Sequence, residues 1–135
     1  MKRVQGIGGI FLKAKQPEKL QAWYDTHLGI GPKADSPWGA DDPASLIEWR
    51  DNEQPERKCY TVFGIFPEDT DYFGPDQPSY MLNLRVDDLD AVLAQLAEEG
   101  ITPISKITQL PFGRFVRILD PEGNPLELWE PAPGF

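Results

Sequence analysis

The sequence predicts an α+β fold of two tandem βαβββ modules, whose curved mixed sheets surround a concave cleft and carry the helices on their convex side. Three observations predict it: a strand–helix pair near the N-terminus, a second such pair past the middle of the chain, and a hairpin near its end. At 135 residues the chain is one domain, or two very small ones that share a core. We place the modules at residues 1–74 and 75–135 of one structural domain.

The first module begins with a predicted strand at Ile7–Ala14. A helix follows, because Pro17 suits a first helical position and Gly29 ends a run of apolar residues at helical spacing. Two short strands, Ser45–Arg50 and Cys59–Phe66, come next and are separated by polar connectors.

The second module repeats this order with a strand at Tyr80–Val86 and a helix that Asp87 or Asp88 caps and Gly100 ends. Aligned by position, Leu20, Trp23, Tyr24 and Gly31 of the first helix fall opposite Leu89, Val92, Leu93 and Gly100 of the second at one constant offset. A strand–helix unit followed by short strands therefore occurs twice.

The hairpin signal lies in Asp120–Gly123, where the order Asp-Pro-Glu-Gly favours a type I turn closed by a glycine with positive φ. In the strand after it, Leu126 and Leu128 face one way and Glu127 and Trp129 the other. A carboxylate in mid-strand is costly to bury unpaired. Glu127 is therefore expected to face water, a cation or a cavity that uses it.

Composition excludes several functional classes. The net charge of −9 argues against nucleic acid or an anionic membrane as partner. A single cysteine, Cys59, excludes an internal disulfide and a cysteine zinc cluster, and a single histidine, His27, excludes a His-rich metal site. No stretch approaches the roughly 20 apolar residues of a membrane span, so a cytoplasmic location is the default expectation.

Side chains that share the concave face are the candidates for binding a ligand. Strand alternation puts Met81, Asn83 and Arg85 on one face in the second module, and Phe11 and Lys13 in the first. Two cations and an amide favour an anionic or carbonyl-bearing ligand. Alternatively, both cations lie at strand ends and reach solvent or pair with the mid-strand carboxylate.

Aromatic residues supply further candidates. Trp129 shares the parity of Glu127 and is the best aromatic candidate for contacting a ligand. Trp38 and the Tyr72-Phe73 pair lie in predicted loops that cover the cleft mouth or pack at a dimer seam. The predicted ligand-binding set is Phe11, Lys13, Met81, Asn83, Arg85 and Trp129.

The helix segment WYDTHLGI, the second-module opening YMLNLRVDDLDAV and the ending DPEGNPLELWEP resemble the vicinal oxygen chelate superfamily. This family includes glyoxalase I, bleomycin-resistance proteins and extradiol dioxygenases. In its enzymes a divalent metal is held in the cleft by the first and last strands of each module. Carried over to this chain, that pattern keeps Glu127 but falls on Gly9 and Met81, and the strand segment Tyr60–Phe63 offers no ligand.

One carboxylate is short of the three protein donors that such metals usually need, so no cofactor is expected. The alternative is a divalent metal recruited through non-aligned donors such as Glu48 or through a second subunit. In either case the resemblance implies a homodimer that binds a small molecule.

The resemblance implies two functions. The first is a glyoxalase-like lyase or isomerase acting on a small carbonyl or carboxylate compound, in which Glu127 moves a proton while Arg85 and Asn83 stabilise the oxyanion. The second is a metal-free protein of the bleomycin-resistance type that sequesters a drug or metabolite. A dimeric protein whose cleft has lost its ligand is the third option.

Overall fold

Seven strands and two helices follow one another in the computed structural model, which describes residues 3–39, 42–74 and 78–135. The strands are β1 (Val4–Ala14), β2 (Ser45–Arg50), β3 (Lys58–Pro67), β4 (Tyr80–Val86), β5 (Thr108–Leu110), β6 (Gly113–Leu119) and β7 (Pro125–Pro131). The helices are α1 (Pro17–Leu28), after β1, and α2 (Leu89–Glu98), after β4. The module boundary lies beside residues 75–77, outside the described residues, and stays a prediction.

The strands form one open mixed sheet in the order β2-β3-β1-β4-β7-β6-β5. In each half, the first strand pairs in parallel with the last, β1 with β3 and β4 with β7, and a hairpin extends outward. The antiparallel pairing of β1 with β4 joins the halves. This arrangement confirms the predicted fold class.

Two details differ from the expectation. The modules share a continuous sheet, and the described part of the first half has two strands after its helix where three were expected. The connector between α1 and β2 contains Pro32, Pro37 and Pro43. Proline has no N–H for a strand ladder, which disfavours a further strand there. In the second half three strands follow the helix, as the βαβββ pattern requires, although the sequence did not place the first of them, β5.

Helix α2 packs on one face of the sheet and closes an apolar core. The buried members of this core are Val86, Leu89, Val92, Val116, Ile118 and Leu128. Asp88 caps the N-terminus of this helix, because its carboxylate accepts a hydrogen bond from the Ala91 amide at 3.0 Å. This confirms Asp88 as one of the two predicted caps.

Helix α1 packs less deeply against the sheet than α2 does. None of its 12 described residues is buried. Its main ring contact joins Tyr24 to Phe63 of β3, with centroids 4.8 Å apart, while the Trp23 side chain is 50% exposed. Gly29 caps its C-terminus in the left-handed conformation, as predicted. Neither α1 nor α2 is long and apolar enough to cross a membrane.

The β6–β7 hairpin confirms the predicted turn. The Gly123 amide donates to the Asp120 carbonyl at 3.0 Å, and Gly123 has a φ of 82°. The Asp120 carboxylate accepts from the amides of Glu122 and Asn124, each at 2.9 Å. The turn fixes the register of β7 and with it the face on which Glu127 emerges.

Candidate functional site

A cavity of about 280 Å³ lies on the sheet face opposite α2. Its aromatic lining consists of Phe11, Trp38, Phe66, Tyr72, Phe112, Phe115 and Trp129. Three polar side chains, Asp42, Asn83 and Glu127, join these rings in the described lining. An apolar hollow with a few convergent polar groups is typical of a small-molecule site.

Glu127 is the central polar residue of this cavity, and its side chain is only 3% exposed. One carboxylate oxygen accepts a hydrogen bond from the Tyr72 hydroxyl at 2.7 Å, and the other accepts from the Asn83 amide nitrogen at 2.7 Å. Asn83 and Glu127 are register partners on the parallel strands β4 and β7, which explains their contact. Of the three expected surroundings of this carboxylate (water, a cation or a cavity that uses it), the structure places it in a cavity lining, and its use there stays a prediction.

Burial raises the pKa of Glu127 above its ordinary value, because the charged form loses hydration. The hydrogen bonds from Tyr72 and Asn83, and then the charge of Arg117, oppose part of this rise. Burial also raises the pKa of the Tyr72 phenol, and the nearby Glu127 charge adds to the effect. A carboxylate whose pKa is moved toward neutrality suits proton transfer.

Tyr72 reaches the cavity from the loop after β3 and is held on two sides. Its ring stacks on Phe66 with centroids 5.3 Å apart, and the Arg117 guanidinium donates to the Tyr72 main-chain carbonyl. The sequence placed Tyr72 in a loop at the cleft mouth or a dimer seam but did not identify it as a partner of Glu127. The available indication in the sequence was an aromatic residue within an otherwise turn-forming segment.

Four of the predicted site residues line the cavity together: Glu127, Asn83, Phe11 and Trp129. Trp38, proposed for the cleft mouth, lines it as well. This grouping follows from strand alternation on β1, β4 and β7, which was readable in the sequence.

Two further predicted residues, Met81 and Lys13, lie outside the described cavity lining. Met81 is fully buried in a small core with Phe11 and Phe73, and the Lys13 ammonium lies 5.2 Å from the centroid of the Phe73 ring. Their side chains are not part of the described cavity lining. Their roles in binding stay predictions.

Arg85 is also absent from the described lining. Its guanidinium lies 5.4 Å from a ring centroid of Trp129 and donates to the Phe135 carbonyl at 2.8 Å. Burial lowers its pKa. The structure therefore separates Arg85 from Glu127, with which the sequence suggested either cooperation or pairing, and its catalytic role stays a prediction.

The polar groups beside Glu127 do not fit a divalent metal. Both carboxylate oxygens are hydrogen-bonded, and the neighbouring groups are a phenol and an amide that act as donors. Across residues 3–39, 42–74 and 78–135, no group of three or more His, Cys, Asp or Glu side chains is placed to share an ion. Glu48, the suggested alternative donor, pairs with Lys58 at 3.5 Å on the surface.

A second cavity, of about 230 Å³, lies between the connector after α1 and strands β2 and β3. Its lining includes Lys33 and the surface pair Glu48 and Lys58. These charged groups are exposed to solvent. The aromatic cavity, which holds a buried carboxylate, is therefore the better candidate.

Comparison with known proteins agrees with this architecture. The family model described as Glyoxalase/Bleomycin resistance protein/Dioxygenase superfamily matches residues 6–128. A search of curated proteins found no significant match.

Solved structures share the fold at low sequence identity. Methylmalonyl-CoA epimerase from Mycobacterium tuberculosis superposes with a TM-score of 0.61 at 21% identity, covering 98% of this chain and 92% of that one. A Streptomyces coelicolor methylmalonyl-CoA epimerase variant in complex with 2-nitronate-propionyl-CoA gives 0.64 at 11%, covering 93% and 96%. The Mn(II)-bound glyoxalase from Novosphingobium aromaticivorans gives 0.58 at 16%, covering 96% and 40%.

Proposed function

We propose that this chain, which belongs to the Glyoxalase/Bleomycin resistance protein/Dioxygenase superfamily, is a glyoxalase-like isomerase or lyase that acts on a small carbonyl compound. The proposal rests on one observation: the Glu127 carboxylate is buried in an aromatic cavity, and this burial raises its pKa. The similar epimerase and glyoxalase structures support an isomerase chemistry on this fold.

In the proposed reaction Glu127 removes a proton from a carbon next to the substrate carbonyl and returns it to that carbon or a neighbouring one. Removal leaves negative charge on the carbonyl oxygen, which needs a hydrogen-bond donor. The Tyr72 hydroxyl and the Asn83 amide are the nearest donors, because both already contact Glu127 at 2.7 Å. The aromatic walls exclude water and strengthen these interactions.

Deuterium exchange tests this proposal without knowledge of the natural substrate. In D₂O, the protein should catalyse exchange of the α-proton of small aromatic carbonyl probes such as 1-indanone and 2-phenylpropanal, followed by ¹H NMR. Glu127→Gln should lower the exchange rate by about 10²–10⁴-fold, the usual contribution of a general base. Glu122→Gln, the same substitution in the exposed turn before β7, is the matched control.

Equal catalysed exchange by Glu127→Gln and the control would overturn the role of Glu127. No catalysed exchange by the native chain with either probe would count against a proton-transfer enzyme for this substrate class.

A metal-free binding protein is the second candidate, and the aromatic lining favours it. Both oxygens of Glu127 already have donors, as expected of a group that serves only to shape a cavity. Because Trp38 and Trp129 line the cavity, a bound ligand should quench tryptophan fluorescence. Quenching by an aromatic probe without catalysed proton exchange would select this candidate.

A homodimer is the assembly that we propose. Ile101, Ile104, Ile107 and Leu110 expose large apolar side chains on and before the edge strand β5. An exposed apolar edge favours pairing with a second copy. Sedimentation should give a dimer that Leu110→Lys weakens, and a native chain that stays monomeric at micromolar concentration would contradict the proposal.

A further inference from the structure

The charged side chains that line the aromatic cavity are acidic. Asp42 and Glu127 are the charged side chains in its described lining, and no lysine, arginine or histidine is among the lining residues that the structure describes. Arg117, the register partner of Glu127 on β6, donates to the Tyr72 main chain and lines an adjoining hollow together with Glu127. An anion entering the aromatic cavity would meet like charge in a poorly solvated space, which is unfavourable.

Asn83 supplies a second, independent observation. Its side-chain nitrogen donates to Glu127, and this hydrogen bond fixes which way the amide is turned. Asn83 is only 1% exposed, and its carbonyl oxygen, Oδ1, has no hydrogen-bond partner within the described residues. Buried acceptors are nearly always satisfied, so an acceptor of this kind in a cavity wall points to a donor on a ligand.

Gly8 lets the side chains of Asn83 and Trp129 pack directly against the backbone of β1. A Cβ atom at position 8 would overlap Asn83 Oδ1 and would come within 2.9 Å of Trp129 Cε3. Gly8, Asn83 and Trp129 all line the cavity, so the unpaired acceptor belongs to a residue of the cavity wall that lies next to an aromatic ring.

We infer that the cavity takes an uncharged aromatic molecule that carries a hydroxyl or amino group, and that this group donates a hydrogen bond to Asn83 Oδ1. The ring lies among Phe11, Phe115 and Trp129. The volume of about 280 Å³ is near the lower end of ordinary ligand pockets, which fits a one- or two-ring compound. This inference rests on the proposed use of the cavity and narrows its substrate class.

Three matched probes test the inference by isothermal titration calorimetry on the full chain. 2-Naphthol carries the donor, 2-methoxynaphthalene lacks it, and 2-naphthoate carries a negative charge. We expect 2-naphthol to bind about tenfold more tightly than 2-methoxynaphthalene, as for one satisfied buried hydrogen bond. We expect 2-naphthoate to bind most weakly.

Two substitutions locate the acceptor. Asn83→Leu should remove the preference for 2-naphthol over 2-methoxynaphthalene, and Gly8→Ala should weaken the binding of 2-naphthol. Asn52→Leu, the same change at an exposed site, should leave the preference intact. The ranking of the three probes on the native chain decides the inference even if a variant does not fold.

The inference is overturned if 2-naphthoate binds more tightly than 2-naphthol, if the two neutral probes bind equally, or if none of the three binds at millimolar concentration. Its failure is distinct from failure of the proposed enzyme. If the probes bind in the expected order but the chain catalyses no deuterium exchange, the ligand class stands and the proposed proton transfer is wrong. If the chain catalyses exchange but binds 2-naphthoate more tightly than 2-naphthol, the proton transfer stands and the ligand class is wrong.

Discussion

The two faces of strand β7 differ in what they bury. Leu126 and Leu128 point toward α2 and belong to a core of apolar side chains. Glu127 and Trp129, which alternate with them, point into the aromatic cavity. The first face gains stability by removing apolar surface from water, whereas the second holds a carboxylate at an energetic cost. A residue kept at such a cost on a well-packed strand is a functional candidate.

Strand β4 repeats the contrast. Leu84 and Val86 join the core beneath α2, while Asn83 and Arg85 are buried polar residues on the opposite face. Since both strands are central in the sheet, position alone does not explain the polarity of one face. On both strands, the apolar face stabilises the fold and the polar face supplies side chains to the cavity side of the sheet.

The substitution Leu128→Ala has the largest expected effect on stability. Leu128 follows Glu127 in sequence but points to the opposite face of β7. The substitution should lower the free energy of unfolding by about 2–5 kcal/mol, because it leaves a hole in a closed apolar core. Urea unfolding measures this change. Under conditions where the variant is folded, its affinity for a cavity ligand should be close to that of the native chain. A loss below about 0.5 kcal/mol, the usual effect of a surface substitution, would contradict the assignment of this face.

Tyr72→Phe acts on the cavity face. It removes a hydrogen bond to a charged group, an interaction usually worth about 1.5–3 kcal/mol. The Tyr72 hydrogen bond lowers the pKa of Glu127, so its removal should raise that pKa further and move the acid limb of the pH–rate profile to higher pH. Tyr80→Phe, at an exposed position, is the control. An unchanged profile would mean that Tyr72 does not tune Glu127.

The pH dependence of stability gives a smaller effect with a definite sign. Because the folded-state pKa of Glu127 is raised above 4.5, the folded chain binds more protons than the unfolded chain between the two values. Native stability should therefore fall, relative to Glu127→Gln, as the pH rises from about 4.5 through the folded-state pKa. Thermal unfolding of both proteins across that window measures the difference, and the opposite slope would contradict the raised pKa.

The smallest expected effect compares the two helix starts. Asp88→Ala removes the cap of α2 and should cost about 1 kcal/mol of stability. Gln16 makes no side-chain capping bond at the start of α1, so Gln16→Ala should change stability by less than about 0.5 kcal/mol. Chemical denaturation of both variants checks this, and equal losses would show that the helices are anchored alike.

Local patterns predicted the parts of the molecule that depend on local physics. The alternation in Leu126–Trp129 separated the two faces of β7, and Asp120–Gly123 predicted the turn that sets its register. The apolar spacing of α2 predicted its buried side. These features require only neighbouring residues, and the sequence carries them directly.

Contacts between residues distant in sequence determine the parts of the site that local sequence patterns did not predict. The contact between Asn83 and Glu127 depends on the parallel register of β4 and β7, which no local pattern encodes. Tyr72 reaches the cavity from a loop, where periodicity gives no direction. Arg85 has the parity of a cavity residue, but its long side chain extends to the Phe135 carbonyl instead. The parity of a residue predicts its face and not the end point of a flexible side chain.

Direct titration of the Glu127 carboxyl tests the central claim. In a ¹³C-labelled chain, the side-chain carboxyl resonance of Glu127, assigned by its absence from Glu127→Gln, should titrate with a midpoint above the ordinary 4.5, as burial requires. A midpoint at or below that value would show that burial does not outweigh the hydrogen bonds from Tyr72 and Asn83, and would contradict a buried base in the cavity.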